Sequence, residues 1–187
     1  MIKIKYSIKE MINDLIADNL ARRKFMNKSI TVKGQISGII SLNFIATAIF
    51  RISHYLFCKK MIFISKLFYA LNVILFGCDI SPMSDIGAGF VILHLNGIAI
   101  HGKIGKNALF YGANAIGGRG GDSASGYIGG PIIGDNFIAY RNANVLAAVE
   151  IGDNVTVGAM SLVLKAIPSN KVVVGIPVHV IKDTTVK

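Results

Sequence analysis

The stretch Asp79–Gly118 reads DISPMSDIGAGFVILHLNGIAIHGKIGKNALFYGANAIGG and places an apolar residue at every sixth position: Ile80, Ile86, Ile92, Ile98, Ile104, Phe110 and Ile116. After a break the spacing resumes at Ile133, Ala139, Val145, Ile151, Val157 and Val163. Glycine often follows directly, as at Gly87, Gly105, Gly117, Gly134, Gly152 and Gly158. A period of six suits neither an α-helix, near 3.6 residues per turn, nor a strand, near 2. It predicts a β-helix, in which each short strand forms one side of a triangular coil and turns one aliphatic side chain inward.

Working outward, the spacing from Ile116 to Ile133 is not a multiple of six. The intervening GGRGGDSASGYIGGP cannot build a strand face, so residues 119–131 are expected to protrude as a loop. Protruding loops on a rigid solenoid are where binding residues gather. Beyond Pro168, KVVVGIPVHVIK leaves the six-residue phase and reads as a strand with a turn at Gly175–Pro177, a cap over residues 169–187. Ahead of the repeats, residues 1–78 read as an α-helical N-terminal region, and residues 79–187 as the β-helix domain. Ile8, Met11, Ile12, Leu15, Ile16 and Leu20 follow helical spacing behind Ser7, a suitable N-cap. Two apolar stretches follow, Ile36–Phe57 and Met61–Phe76, interrupted by Arg51, His54, Lys66 and Asn72. A spanning helix needs about 20 apolar residues without internal charge, so buried or partner-facing helices are expected. Lys59, Lys60 and Lys66 beside aromatic residues keep a peripheral membrane contact open.

The chain has 187 residues, 52% hydrophobic, with mean hydropathy +0.56, room for one substantial core. Its net charge is +10, which suits an anionic partner. No nucleic-acid motif accompanies it, so an anionic small molecule or membrane surface is the expected partner rather than nucleic acid. Cys58 and Cys78 have no metal-site or redox spacing and read as buried thiols of a reducing cytoplasm. The residues Met1–Glu10 lack a clean hydrophobic run, so no secretory signal is expected.

The block from Asp79 to Ile100 resembles the bacterial serine acetyltransferase family and its O-acetyltransferase relatives in capsule and O-antigen gene clusters. Asp79-Ile80 with His94 keeps that family's spacing, followed by Gly97-Ile98. Gly117-Gly118, IGDNVTVGAMSLVLKAIP and VVVGIPVHVIK extend the likeness over about residues 75–182. The resemblance implies a mainly β, left-handed parallel β-helix of hexapeptide repeats, acetyl-CoA as co-substrate, no metal, and a homotrimer sharing its active sites between neighbours. Three features depart from the family. Gly130-Pro131 stands where the family has His-Pro, and the arginine that binds an amino-acid carboxylate is absent there. The turn at His101-Gly102 is shorter, and the helical region is shorter than in the biosynthetic enzyme.

Acyl transfer from a thioester to a hydroxyl needs a base, and a neutral imidazole suits that task. His94 falls two residues past inward Ile92, on a coil edge, and is the expected base. Asp79 could accept from its other ring nitrogen and fix the tautomer. An 18-residue coil would put Asp79 one rung below His94 and three residues off register. His101, in the next turn, is the competing base; His54 and His179 read as structural. Gly117 and Gly118 permit close backbone approach to an oxyanion or cofactor. Arg119, Arg141, Lys165 and Lys182 are the basic candidates for coenzyme A, and the resemblance adds Gly175 and Pro177 near its adenine end. The expected function is O-acetyl transfer from acetyl-CoA to a hydroxyl, with a sugar of a surface-polysaccharide precursor ahead of L-serine as acceptor. A metal hydratase of the same fold would need three histidines on zinc, and none occurs from residue 102 to 178. A catalytically silent scaffold is the remaining alternative. The expected location is cytoplasmic, at the inner face of the membrane if the apolar helices touch it.

Overall fold

A computed structural model of the protein describes residues 6–28, 30–31, 34, 38–118 and 130–183. Of the residues singled out above, Arg119, most of the loop 119–131 and the end of the cap at 184–187 lie outside the described residues. Helix α1 spans Ile8–Phe25, and its first turn closes a capping box: Ser7 Oγ accepts from the Glu10 N–H, and the Glu10 carboxylate accepts from the Ser7 N–H. The two apolar stretches form α2, Leu42–Cys58, and α3, Ile62–Phe76. Ser41 caps α2 through the Phe44 N–H, and Gly77, with φ +61, ends α3 in the left-handed conformation. No described helix is long and apolar enough to cross a membrane.

From Cys78 onward the chain winds as a left-handed parallel β-helix with three faces. The first face stacks β1 (Cys78–Ile80), β4 (Ile98–Ile100), β7 (Ala115–Gly117), β10 (Asn144–Leu146) and β13 (Leu162–Val163). The second stacks β2 (Asp85–Ile86), β5 (Lys103–Ile104), β8 (Ile132–Ile133) and β11 (Glu150–Ile151). The third stacks β3 (Val91–Ile92), β6 (Leu109–Phe110), β9 (Ile138–Ala139), β12 (Thr156–Val157) and β14 (Lys171–Val174). The C-terminal segment turns back at Gly175–Pro177, and β15 (His179–Asp183) pairs antiparallel with β14 on the third face.

The hexad count conceals a shift in register. On the second and third faces the first two coils lie 18 residues apart, as Asp85 with Lys103 and Val91 with Leu109. On the first face Asp79 pairs with Ala99, 20 residues on, and Ala99 pairs with Ala115, only 16 on. The corner carrying His94 is therefore two residues longer than the others, and the next, at His101-Gly102, is shorter. Ile100, not Ile98, continues the inward column from Ile80 to Ile116; Ile98 pairs with Cys78, and both isoleucines are buried. The later break is an insertion. Ile104 pairs with Ile133, 29 residues on, eleven more than a regular coil.

Inside the coils Phe90, Phe110 and Phe137 stack at 5.7 and 5.8 Å between ring centroids. Phe50 of α2 continues that stack below Phe90 at 6.1 Å, so the helical layer closes the open lower end of the core. Along the edge between the second and third faces runs a ladder of asparagines. Asn107, Asn136 and Asn154 each donate a side-chain amide hydrogen to the next, ending on Asn170 at 2.8 Å. All four have positive φ, near +60°, which asparagine tolerates better than other side chains. At the foot of this edge Asp18 accepts from the Gly89 and Phe90 N–H groups, and Arg51 binds Asp18 together with the Ile86 and Gly87 carbonyls.

The α1 stripe of Ile8, Ile12 and Ile16 points outward, whereas Asp18, Asn19, Arg22 and Arg23 are buried. The polar side of α1 serves the contact to the coils, because the exposed peptide groups of the first coil need hydrogen-bond partners that leucines cannot supply.

Candidate active site

His94 lies in the lengthened turn Leu93–Gly97, on the edge between the third and first faces, and is exposed. Three elements hold this turn. From below, the Asn43 side chain on α2 donates to the Ile92 carbonyl at 3.1 Å and the Leu93 carbonyl at 2.7 Å. From the side, the Asn96 and Gly97 N–H groups donate to the carbonyls of Phe76 and Gly77, where α3 ends. From above, Gly112 rests on it: a Cβ there would lie 2.7 Å from the His94 carbonyl oxygen and 3.0 Å from His94 Cβ. Gly112 also has φ +111, so both its space and its backbone demand glycine. An exposed imidazole on a turn pinned at three points is accessible yet placed, which a general base requires.

Asp79 sits elsewhere than an 18-residue coil predicts. The longer corner carries it opposite Ala99, five residues beyond His94 rather than three. Its carboxylate accepts from the Tyr69 hydroxyl at 2.6 Å, a bond that pushes the phenol up to about 12. Among the described residues no hydrogen bond or ion pair joins Asp79 to His94.

His101 occupies a different edge, between the first and second faces. Its N–H donates to the Ile116 carbonyl at 2.7 Å. Gly130, where the chain returns from the insertion, packs directly on this corner: a Cβ would stand 2.5 Å from the His101 carbonyl oxygen and 2.8 Å from Gly102 Cα. The short His101-Gly102 turn therefore requires a glycine at position 130. His94 and His101 do not come together within one chain.

The cofactor candidates divide between the same two edges. Gly117 and Gly118 lie one coil above His101 and exposed Lys165 three coils above it on the same edge, and among the described residues nothing stands within 4 Å of a Cβ at Gly117. Exposed Arg141 lies on the His94 edge, two coils above, where the Asn142 N–H bonds to the Gly112 carbonyl. Gly175 tops that edge, donating to Ser161 Oγ at 3.0 Å, with Pro177 beside it. Lys182 stands on β15, away from both. The flat first face between the edges presents Asp79, Ala99 and Ala115 in one column.

Two features of the site were missed by sequence reasoning. Asn43 lies in a stretch read only as apolar helix. Tyr111 and Tyr140 stack at 4.5 Å directly above Leu93, with Phe25 edge-on to Tyr111 at 6.0 Å. Each tyrosine follows an inward residue by one, a positional signal that the hexad count offers. Of the other histidines, His54 is buried in α2 with Nδ1 2.9 Å from the Pro82 carbonyl, and burial holds it below its ordinary range. Burial pushes both thiols, Cys58 and Cys78, up to about 11. No group of three or more His, Cys, Asp or Glu side chains converges among the described residues.

The coil and the helical layer beneath it recur in known proteins. The chain is 35% identical over 134 residues to a serine acetyltransferase of Staphylococcus xylosus, covering 71% of this chain and 61% of that one. It is 34% identical over 176 residues to a serine acetyltransferase of Buchnera aphidicola, covering 92% of this chain and 65% of that one. The chain resembles the serine acetyltransferases. It spans just over three-fifths of the length of these relatives. A solved serine acetyltransferase in complex with CoA has the same fold, with a TM-score of 0.81 at 22% identity, over 93% of this chain and 71% of that one. No protein-family model matches the chain.

Proposed function

We propose that the protein is an acetyl-CoA-dependent O-acetyltransferase with His94 as general base. The observation that carries this is the exposed imidazole on a turn fixed by Asn43, Phe76, Gly77 and Gly112. The acceptor hydroxyl attacks the thioester carbonyl carbon as His94 takes its proton. The tetrahedral oxyanion is met by backbone N–H groups, for which the Gly117-Gly118 segment is the candidate. The C–S bond then breaks, and the imidazolium returns its proton to the coenzyme A sulfur. Arg141 and Lys165, one on each edge, are the candidate cations for the coenzyme's phosphates, and Lys182, away from both edges, is not.

L-serine is the acceptor that the names of these two relatives favour, ahead of the sugar expected from sequence. One observation keeps a sugar hydroxyl as second reading: Gly130, where a histidine cannot be accommodated against His101. A homotrimer in the cytoplasm completes the proposal, since it would bring the His94 edge of one chain to the His101 edge of another. The test is release of coenzyme A thiol from acetyl-CoA with L-serine or a panel of sugars, comparing wild type with His94→Ala. The expected loss is about 10²–10⁴-fold, the span of general-base catalysis. Serine-dependent release assigns serine, and release with sugars alone assigns the second reading. Equal rates in wild type and variant would remove His94 from the chemistry.

A further inference from the structure

Helix α3 is built inside out. Its buried side chains are Ser65, Asn72 and Phe76. Ser65 Oγ donates to the Ser53 carbonyl, Ser53 Oγ donates to the Ser65 carbonyl, and Asn72 donates to the Ala46 carbonyl, all across to α2. By helical spacing Phe63, Leu67 and Ile74 line one flank opposite this polar seam, with Ile64, Leu71 and Leu75 beside them. Phe63 is 76% exposed, Ile74 79% and Leu75 59%. A contiguous apolar face of this kind marks a surface that something covers.

Charge identifies the occupant. From residue 19 to residue 78 the chain has no Asp or Glu but nine Lys and Arg. Lys59, Lys60 and Lys66 are exposed at the start of α3 and beside its apolar face. The acidic residue near its other end, Asp79, is bonded to Tyr69. A second copy docked through α3 would bring these lysines to an equally cationic patch, since neither α2 nor α3 carries an Asp or Glu to pair them. An anionic lipid surface supplies both the apolar interior and the negative charge. At 15 residues α3 is about 22 Å long, short of the roughly 30 Å hydrocarbon layer, so it lies along the surface rather than across it.

We infer that the protein docks on anionic membrane surfaces through the outer face of α3, with Phe63, Leu67, Ile74 and Leu75 in the acyl boundary and Lys59, Lys60 and Lys66 at the headgroups. This is independent of which acceptor is acetylated. The test is sedimentation of the full chain with phosphatidylcholine vesicles, with and without phosphatidylglycerol. Expected is binding to the phosphatidylglycerol vesicles that is at least tenfold weaker without that lipid. Each Lys→Gln change at 59, 60 or 66 should weaken it about fivefold, and Phe63→Ser/Ile74→Ser should abolish it. Circular dichroism confirms that both sets of variants fold. No binding to either vesicle would overturn the proposal. So would light scattering in which Phe63→Ser/Ile74→Ser dissociates an oligomer while lipid leaves wild type unbound, since a second copy would then cover the face.

Discussion

The Asn43 carboxamide, on a helix, donates to the Leu93 carbonyl at 2.7 Å, immediately before His94, and so ties the helical layer to the candidate base. Removing it frees two carbonyls, Ile92 and Leu93, at the cost of about 1–3 kcal/mol. Asn43→Ala is expected to lower kcat about tenfold by loosening the His94 turn, while thermal unfolding stays cooperative. An unchanged kcat would show that the turn is set by Phe76, Gly77 and Gly112 alone.

Gly112→Ala should act on the same turn from the other side. Its Cβ cannot fit 2.7 Å from the His94 carbonyl oxygen, and the residue is held at φ +111. A comparison is Gly152→Ala, where the new Cβ would meet Ser169 on a distant edge. Both variants should lower Tm, but only Gly112→Ala should also reduce kcat per folded molecule. Equal kcat values in the two would sever the link between Gly112 and His94.

The asparagine ladder separates two energetic effects at one residue. Asn136 accepts from Asn107, donates to Asn154 and holds φ +58. Asn136→Gly loses the ladder bonds but suits the backbone, whereas Asn136→Ala loses the bonds and adds left-handed strain of about 1 kcal/mol or more. Both should unfold at lower temperature than wild type, the alanine variant lowest by a few degrees. An alanine variant as stable as the glycine variant would mean that the corner relaxes.

His54 should make stability pH-dependent. Unfolded, its imidazole titrates near 6.5, and burial lowers that value in the folded state. Between the two values only the unfolded chain takes up the proton. Its contribution is therefore complete above about pH 6.5 and declines as pH falls below it. Tm measured from about pH 8 to 5 should drop more steeply in wild type than in His54→Gln. Parallel curves would show that other groups govern the acid limb.

Local spacing made the coils legible, since an inward residue every six positions is a property of neighbours along the chain and leaves only one way to bury it. The Ser7 cap and the His94 corner were legible for the same reason. The side of a helix that faces the core was not. In α1 and α3 the polar residues turn inward, because they meet the unpaired peptide groups of the first coil and the polar seam of α2, partners remote in sequence. Nor could spacing reveal that the corner at His94 gains two residues and the corner at His101 loses them, since the isoleucines keep perfect phase while Ile100 replaces Ile98 in the column. Pairing between coils decided that register, with the consequence that Asp79 moves away from His94 and Gly130 must remain glycine. By itself the sequence determined the coil and the chemical type of its residues. The tertiary structure decided which of them share an edge, because hydrogen bonds between coils, and not distance along the chain, bring those edges into line.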